Sequence, residues 1–381
     1  MSVEETKALL LLNRVTNYTA RQKFELHGRF GSALGILESR VEAEAPYRKS
    51  FKINGKVLIV DEAMESVEKE YGLCAEQGIE ILTISGDSYP ARLKDIGDPP
   101  LVLFSKGKVE LLARETTVAV VGARRASNAG FTVAYRMAEE LSRAGVTVVS
   151  GLASGVDYYV HRGVLEAGGA TVAVLGNGID IEYPRENAEM YAKIGRQGCL
   201  LSEYPVGTQP LKQNFPRRNR VISGLSVGVV VVEAGESSGA LITARHAREQ
   251  RRVIMALPGT AGSPYFAGNN NLIKEGARLV EDASDVLALL GREWEGKEKN
   301  AGAVKKRRPA SRSRAENAAA RGGFSPLSDA ILRVIGHETV NIETIERILG
   351  NPVSKIASEL MLLELKGVVV QHPGKNFSRV G

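Results

Sequence analysis

The stretch VAVVGARRASNAG, residues 118–130, decides the fold of this 381-residue chain. An apolar run ends at Gly122, and Ser127 can cap a following helix, so the stretch predicts a strand, a tight turn and a helix. Such a unit commonly binds a phosphate at the helix N-terminus. The turn, however, carries Arg124 and Arg125 where a dinucleotide-binding turn has small residues, and the sequence GxGxxG does not follow the strand. We therefore expect a nucleotide-type fold that holds a different anionic ligand.

Short β-branched runs alternate with helical segments on both sides of this stretch. The predicted strands are residues 79–84, 100–104, 117–121, 146–150, 171–175, 199–203, 227–233 and 252–257. Near-continuous apolar runs are typical of strands buried on both faces. Strand–helix alternation indicates an α/β fold with a doubly wound, mostly parallel sheet, which we assign to residues 79–291.

Three further segments flank the predicted sheet. Residues 1–78 read as a small helical domain like a SAM or helix-hairpin-helix module, with Thr19 as a helix cap, serving a structural role or as a contact surface. Residues 292–323 read as a basic flexible linker, whose ten basic and four acidic residues account for the whole net charge of +6. This linker is a spacer or a weak polyanion-attracting arm.

The C-terminal residues 324–381 combine three helical patterns with a hairpin that turns at 372–376, which indicates a winged helix. Its third helix carries only Lys355 before an apolar stretch, whereas recognition helices usually carry more basic or amide residues. Contacts with protein and contacts with DNA are therefore equally expected for this domain.

Composition excludes several classes of protein. No run of eighteen apolar residues predicts a membrane span, and the N-terminus lacks the basic segment of a signal peptide. Two distant cysteines, Cys74 and Cys199, show no metal-ligand spacing and indicate a reducing compartment. No Walker A sequence supports nucleoside-triphosphate hydrolysis. Asp157 and His161 are four residues apart. A helix cap and a partly buried histidine are favoured over a catalytic pair as their interpretation.

Five predicted strands end in loops that contain glycine, and together these loops predict a phosphate-binding rim at one edge of the sheet. Arginine forks bind phosphate, and Tyr158 offers a base-stacking surface unless it or Tyr159 packs in the core. The segment NFPRRNR, residues 214–220, reads as a loop leading into a helix. The candidate nucleic-acid-binding residues are Gly122, Arg124, Arg125, Ser127, Ser154, Gly155, Tyr158, Arg217, Arg218, Asn219, Arg220, Ser238, Gly239 and Lys274. An extended row of such sites suits a single strand better than a mononucleotide.

Successive blocks of the chain resemble the bacterial DNA-processing protein A (DprA/Smf) family. The blocks are YPARLKDIGDPPLVLFSKG (89–107), VAVVGARRAS (118–127), the segment 150–187, LLSEYPVGTQPLKQNFPRRNRVISGLS (200–226), VVVVEAGESSGALITARHA (229–247) and ALPG with NNLIKEGA (256–277). The resemblance implies an extended Rossmann-like domain that forms a homodimer and binds single-stranded DNA in the cytoplasm. It also implies protection of incoming strands in natural transformation and loading of a RecA-type recombinase, with no cofactor and no catalytic activity.

The resemblance assigns a role to Arg124, which is expected to contact the strand backbone. The second loop commonly reads S-G-x-A-[KR]-G-x-D in this family, and Ser154 stands here at the basic position. This departure removes one phosphate contact, for which Arg125 is expected to compensate.

Two other functions compete with this interpretation. An enzyme that cleaves nucleoside monophosphates would use a PGGxGTxxE-type loop, but the comparable segment here is EAGESSGALITA, with only Glu233 and Glu236 as acids. A winged-helix regulator of duplex DNA is disfavoured by the poor recognition helix.

Overall fold

The computed structural model describes residues 2–15, 18–41, 50–53, 56–293, 326–336, 339–365, 367–372 and 374–379. Its contacts group the chain into two compact units, Met1–Lys297 and Glu298–Gly381. The boundary that the sequence predicts at residue 78 therefore lies inside the first unit. Most of the predicted linker 292–323 lies outside the described residues.

The first unit begins with helices and a hairpin. Thr19 caps the second helix as predicted, because its hydroxyl accepts from the backbone of Gln22 while the Gln22 side chain accepts from the backbone of Thr19. The prediction of an all-helical segment was wrong, since a two-stranded antiparallel hairpin interrupts it. The elements are α1 (Val3–Arg14), α2 (Ala20–Phe30), α3 (Ala33–Val41), β1 (Ser50–Ile53), β2 (Lys56–Ile59) and α4 (Val60–Glu76).

A nine-stranded sheet follows, and it contains all eight predicted strands. Its strands are β3 (Glu80–Thr83), β4 (Val102–Gly107), β5 (Thr117–Val121), β6 (Thr147–Ser150), β7 (Thr171–Leu175), β8 (Cys199–Ser202), β9 (Gly228–Val231), β10 (Val253–Ala256) and β11 (Arg278–Leu279). The spatial order is β11-β10-β9-β5-β6-β7-β8-β4-β3. Neighbours from β11 to β8 pair in parallel, whereas β4 pairs antiparallel with β8 and β3 pairs antiparallel with β4. The sheet is therefore mostly parallel, as predicted.

Helices connect these strands and cover both faces of the sheet. They are α5 (Ala91–Lys94), α6 (Asn128–Arg143), α7 (Val156–Glu166), α8 (Ala188–Gln197), α9 (Asn214–Leu225), α10 (Ala240–Glu249), α11 (Ala267–Lys274) and α12 (Ala283–Glu293). Successive residues of β5 join different core clusters: Val118 and Val120 belong to one, and Ala119 and Val121 to the other. This alternation shows a doubly wound sheet with an apolar layer on each face.

The N-terminal helices share one of these two apolar layers. Leu9 and Leu10 of α1 are fully buried in the same cluster as Phe104 of β4 and Leu200 of β8. Polar contacts join the same parts, since Asn13 donates to the backbone of Glu203 and the backbone of Val206 donates to Glu70. The helices of α1–α4 are therefore packed on the sheet.

The second unit has the predicted winged-helix architecture. It contains α13 (Pro326–Ile335), β12 (Val340–Asn341), α14 (Ile342–Leu349), α15 (Val353–Leu365), β13 (Val369–His372) and β14 (Asn376–Arg379). The hairpin β13–β14 pairs His372 with Asn376, at the predicted turn. On the third helix Lys355 is exposed, but so are the apolar side chains of Met361 and Leu362.

Candidate nucleic-acid interface

A cleft of about 600 Å³ opens at the carboxyl ends of β5, β6 and β7. Loops that follow these three strands form its walls, and the start of α9 completes it. The lining residues include Arg124, Gly151 to Ser154, Leu175 to Asn177, Tyr183 to Glu186, Pro210, Phe215 and Arg218. The cleft therefore lies where ligands of doubly wound sheets bind. We call it the strand-end cleft.

The first two loops touch each other through Gly155. Its φ of 85° is in the left-handed region, and a Cβ at this position would lie 2.4 Å from the carbonyl oxygen of Arg124. Only glycine allows this contact. The backbone of Val156 also donates to the carbonyl of Ala123. Gly155 is therefore a packing requirement that fixes the Arg124 loop, and the predicted phosphate contact at Gly155 stays untested.

An exposed arginine and an aromatic ring meet in the strand-end cleft. The guanidinium carbon of Arg124 lies 5.4 Å from the ring centroid of Phe215. The ring of Tyr183 lies 5.5 Å from the same centroid, and Gly176 makes room for Phe215, because a Cβ there would approach the ring to 2.7 Å. A cation and two aromatic rings on one wall are suited to phosphate and to stacked bases.

Arg218 holds this wall from inside the protein. Its side chain is buried and donates to the carbonyl oxygen of Gly151 at 2.8 Å and to that of Val174. It also lies beside Asp157, and its guanidinium carbon is 6.0 Å from the Phe215 ring centroid. Burial lowers the pKa of Arg218 to about 10, although Asp157 opposes this shift. Arg218 therefore ties the β6 loop and the β7 strand end to α9.

These contacts correct the prediction for residues 214–220. The segment is not a loop but the first two turns of α9, and Arg218, Asn219 and Arg220 are each at least nine-tenths buried. Arg220 forms ion pairs with Asp98 at 3.1 Å and with Glu203. Sequence patterns missed this burial because arginine is rarely buried unless it is paired, and its partners here are distant in the chain.

The helix N-terminus after β5 already has an anion, and it is an internal one. Ser127 caps α6 as predicted, and the Glu233 carboxylate accepts from the Ser127 backbone at 2.7 Å and from its hydroxyl at 2.6 Å. The carbonyl of Glu233 also accepts from Ala123. Glu233 is fully buried at the end of β9, so it fills the crevice between β5 and β9 where a dinucleotide phosphate would bind. The donors of Ser127 at this helix start are therefore already used by a side chain of the protein.

The remaining predicted residues are dispersed over the first unit. Gly122 packs against Val156, and Arg125 is exposed. Ser154 lines the strand-end cleft and donates to Glu186 at 2.8 Å. Of these residues, only Ser154 shares the strand-end cleft with Arg124.

Other candidates lie apart from the strand-end cleft. Tyr158 is half-buried against the core and meets Tyr159 edge-on, so the core alternative fits it. Arg217 is exposed in a second pocket on the other side of α9. Ser238 and Gly239 precede α10 near β9, and Lys274 is exposed in the last turn of α11. The structure does not gather these residues with Arg124.

Sequence reasoning missed three side chains of the cleft. Phe215 lies within NFPRRNR, the segment whose arginines were predicted to bind DNA. Tyr183 and Arg185 lie in YPREN after the third loop. An aromatic next to a basic residue after a strand end was the available signal.

Asp157 and His161 bond to different partners in the described structure, and no hydrogen bond joins them. Asp157 accepts from the backbone of Ala153 at 3.4 Å, so the interpretation as a cap of α7 was wrong, and burial raises its pKa. His161 is fully buried against Thr171, with 2.7 Å between Nδ1 and Oγ1, and burial lowers its pKa to about 3.

Among the described residues, no cluster of His, Cys, Asp or Glu could hold a metal ion. No helix in the described part of the chain has the length and apolarity to cross a bilayer.

Comparison with known proteins places the chain in a family. Residues 80–291, more than half of the chain, match the family model for DNA recombination-mediator protein A, and residues 309–375 match the DprA winged helix domain. The chain is 44% identical over 215 residues to DNA processing protein DprA of Bacillus subtilis, covering 56% of this chain and 72% of that protein. It is 35% identical over 320 residues to protein Smf of Escherichia coli, covering 81% and 80% respectively.

Solved structures show the same relationship. The structure of DprA from Streptococcus pneumoniae superposes with a TM-score of 0.56 at 40% identity, covering 60% of this chain and 80% of that one. DNA processing protein A from Helicobacter pylori, whose structure describes a single-stranded DNA binding mode, superposes with a TM-score of 0.51 at 28% identity, covering 56% and 97%. This chain belongs to the DNA recombination-mediator protein A family.

Proposed function

We propose that this protein binds single-stranded DNA in the strand-end cleft without catalysing a reaction on it. The observation that carries the proposal is the pair Arg124 and Phe215, a solvent-exposed guanidinium 5.4 Å from an aromatic ring in an open cleft. A cation for phosphate beside a ring for bases is the combination that binds single strands without reading their sequence. Duplex DNA keeps its bases stacked inside, so it would use the arginine but not the ring.

The filled crevice at Glu233 supports a strand over a free nucleotide. A nucleotide on a doubly wound sheet places its phosphate at the helix N-terminus, and here Glu233 already accepts from Ser127 at that position. The strand-end cleft lies at the ends of β5, β6 and β7, whereas Glu233 lies between β5 and β9 on the other side of β5. An open wall favours a ligand that continues past the cleft on both sides.

The biological role that we propose follows from the family. The family is that of a DNA recombination mediator, and relatives are named DNA processing proteins. We therefore propose that the protein protects incoming strands in natural transformation and loads a RecA-type recombinase onto them. The proposal includes a homodimer formed through the residues of the nine-stranded sheet unit and a cytoplasmic location, where strand and recombinase meet.

A salt titration tests the binding proposal. Fluorescence anisotropy with labelled single-stranded and duplex oligonucleotides is measured across a range of salt concentrations for wild type and for Arg124→Ala. The matched control is Arg136→Ala, because Arg136 is an exposed arginine on α6 that lies outside the lining of the strand-end cleft. We expect preference for the single strand, and a salt slope shallower by about 0.7 in Arg124→Ala alone. Equal affinity for duplex, or an unchanged slope, would contradict the proposal.

The recombinase role is tested separately. Nucleation of a RecA-type filament on single-stranded DNA is followed with and without the protein, and we expect acceleration that Arg124→Ala weakens. Absence of any acceleration by wild type would remove the loading role and leave the binding proposal intact.

A further inference from the structure

A second pocket of about 710 Å³ lies on the opposite side of α9 from the strand-end cleft. Its walls are the end of α1, the start of α2, the segment 203–208 after β8 and the first turns of α9. Phe215 and Arg218 line the cleft, whereas Arg217 and Arg220 line this pocket. The start of α9 is therefore a narrow ridge with one concave site on each side. We call the second site the helix pocket.

Two buried donors that line the helix pocket have no partner among the described residues. They are Nη1 of Arg220 and Nδ2 of Asn214, and both residues are at least 95% buried. Buried polar groups in folded proteins are nearly always hydrogen-bonded, to protein, water or ligand. Both atoms are donors that the pocket wall shields from solvent, so a shift of that wall is needed before each can donate to an acceptor such as a phosphate or sugar oxygen. Oε1 of Glu203 is a third buried atom without a partner in the described structure.

Two cations face the same space. Nζ of Lys23 donates to the carbonyl of Asn13 at 2.8 Å, and Arg217 is exposed close enough to repel it. The pKa of Lys23 is lowered to about 8, mainly by burial; Glu203 opposes this shift and Arg217 adds to it. The other arginines of the pocket wall have carboxylate partners: Arg14 pairs with Glu70, Arg21 with Glu25 and Arg220 with Glu203. A bound anion would relieve the repulsion between Lys23 and Arg217.

We infer that the helix pocket binds the sugar-phosphate backbone of the DNA strand that leaves the strand-end cleft across the start of α9. The inference rests on the proposed function, because the cleft supplies the strand. It gives the N-terminal helices a direct part in binding, since Lys23 belongs to α2 and Asn13 to α1. A strand that is too short to cross α9 would occupy the cleft alone.

Oligonucleotide length separates the two sites. Affinities for thymidine oligonucleotides of about 4 to about 16 nucleotides are measured with the full chain, across salt concentrations, for wild type, Arg217→Ala and Lys23→Gln. Arg136→Ala is the matched surface control, and Lys23→Arg tests rescue of the charge. Urea unfolding of each variant checks that it folds. Arg217 is exposed, so Arg217→Ala leaves no buried cavity and should fold like wild type.

We expect Arg217→Ala and Lys23→Gln to bind short oligonucleotides like wild type and long ones more weakly, with a salt slope shallower by about 0.7 for each lost phosphate contact. Lys23→Arg should restore the long-strand affinity. Equal effects at every length, or none at any length, overturn the inference. Loss of binding in Arg124→Ala at all lengths would support binding in the strand-end cleft but would not by itself support the helix pocket. The two proposals can therefore fail separately.

The source of the phosphate is also tested. Thymidine monophosphate and inorganic phosphate are titrated as competitors against the long oligonucleotide. We expect competition only at concentrations far above those of the DNA. A mononucleotide that binds more tightly than the long strand, and loses that binding in Arg217→Ala, would identify a free-nucleotide site and overturn the strand path.

Discussion

The carboxylate of Glu233 holds both the backbone N–H and the hydroxyl of Ser127, at 2.7 and 2.6 Å. Glu233 lies two residues after the end of β9, and Ser127 caps α6 after β5, so the two hydrogen bonds link the segments that follow neighbouring parallel strands. A Cβ on Gly130 would lie 2.3 Å from Oε2 of Glu233, which shows how tightly the helix start is packed on this carboxylate. Glu233 thereby acts as a built-in anion.

Glu233→Ala should lower the free energy of unfolding by about 3 kcal/mol, because two partly buried donors of Ser127 lose a charged acceptor. The control Glu236→Ala changes an exposed acid of the same loop and should stay within about 0.5 kcal/mol of wild type. Urea unfolding measures both. If the two variants were equally stable, Glu233 would not be a structural anion. Incubation with nucleoside monophosphates would then test whether the protein cleaves them.

Substitution of the adjacent residues Arg217 and Arg218 of α9 should change the free energy of unfolding by very different amounts. Arg218→Ala leaves the carbonyls of Gly151 and Val174 without their donor and Asp157 without its neighbouring charge, at a cost of about 3 to 5 kcal/mol. Arg217→Ala should change the free energy of unfolding by less than about 0.5 kcal/mol, since its side chain is exposed. Similar unfolding midpoints for the two variants would contradict the tying role of Arg218.

Phe215→Leu should weaken binding of single-stranded DNA by about 1 to 3 kcal/mol without changing the salt slope, because it removes a stacking surface but no charge. Leucine keeps an apolar side chain against Gly176. Anisotropy titrations compare this variant with Arg124→Ala, in which the slope itself should fall. A change of slope in Phe215→Leu would mean that the ring acts only by positioning Arg124.

Ser154→Lys should strengthen binding, because it places a cation in the strand-end cleft. Glu186 would pair with the new lysine, since it already accepts from Ser154 at 2.8 Å. The double variant Ser154→Lys with Glu186→Gln should therefore bind more tightly still. We expect the salt slope to become steeper by about 0.7 for a new phosphate contact. An unchanged slope in both variants would place the strand away from the β6 loop.

His161 should make the protein less stable in mild acid. Burial lowers its pKa from 6.5 to about 3, so below pH 6.5 the unfolded chain binds a proton that the folded chain does not. Stability is lost at up to about 1.4 kcal/mol per pH unit, or about 2 kcal/mol between pH 6.5 and 5. Urea unfolding at pH 7 and pH 5 should show a smaller loss for His161→Gln. Equal losses would show that other groups cause the acid sensitivity.

The sheet could be predicted because its signals are local. Each buried strand is a short apolar run, and the caps at Thr19 and Ser127 follow from residues within three positions of them. The hairpin of residues 50–59 was missed, since its neighbours read as helices and four-residue strands give little periodicity.

The site was only partly predictable because its decisive contacts are distant in sequence. Arg124 could be recognised in its loop, but Phe215, its ring partner, is 91 positions away. The burial of Arg218 depends on carbonyls 67 and 44 residues away. A glycine-rich loop predicts free backbone donors. In the first loop, however, the backbone N–H of Ser127 already donates to Glu233, which lies 106 positions further along the chain. Only the folded chain shows which donors are already used.

A single apolar cluster runs from Leu10 of α1 through Phe104 to Leu200. Neither the helices nor this face of the sheet can open without uncovering the other, so the two gain and lose their structure cooperatively. A ligand that spans the helix pocket touches both partners of that cluster. Its binding free energy therefore adds to the stability of the whole unit, and occupancy by a strand tightens the fold far from the strand itself.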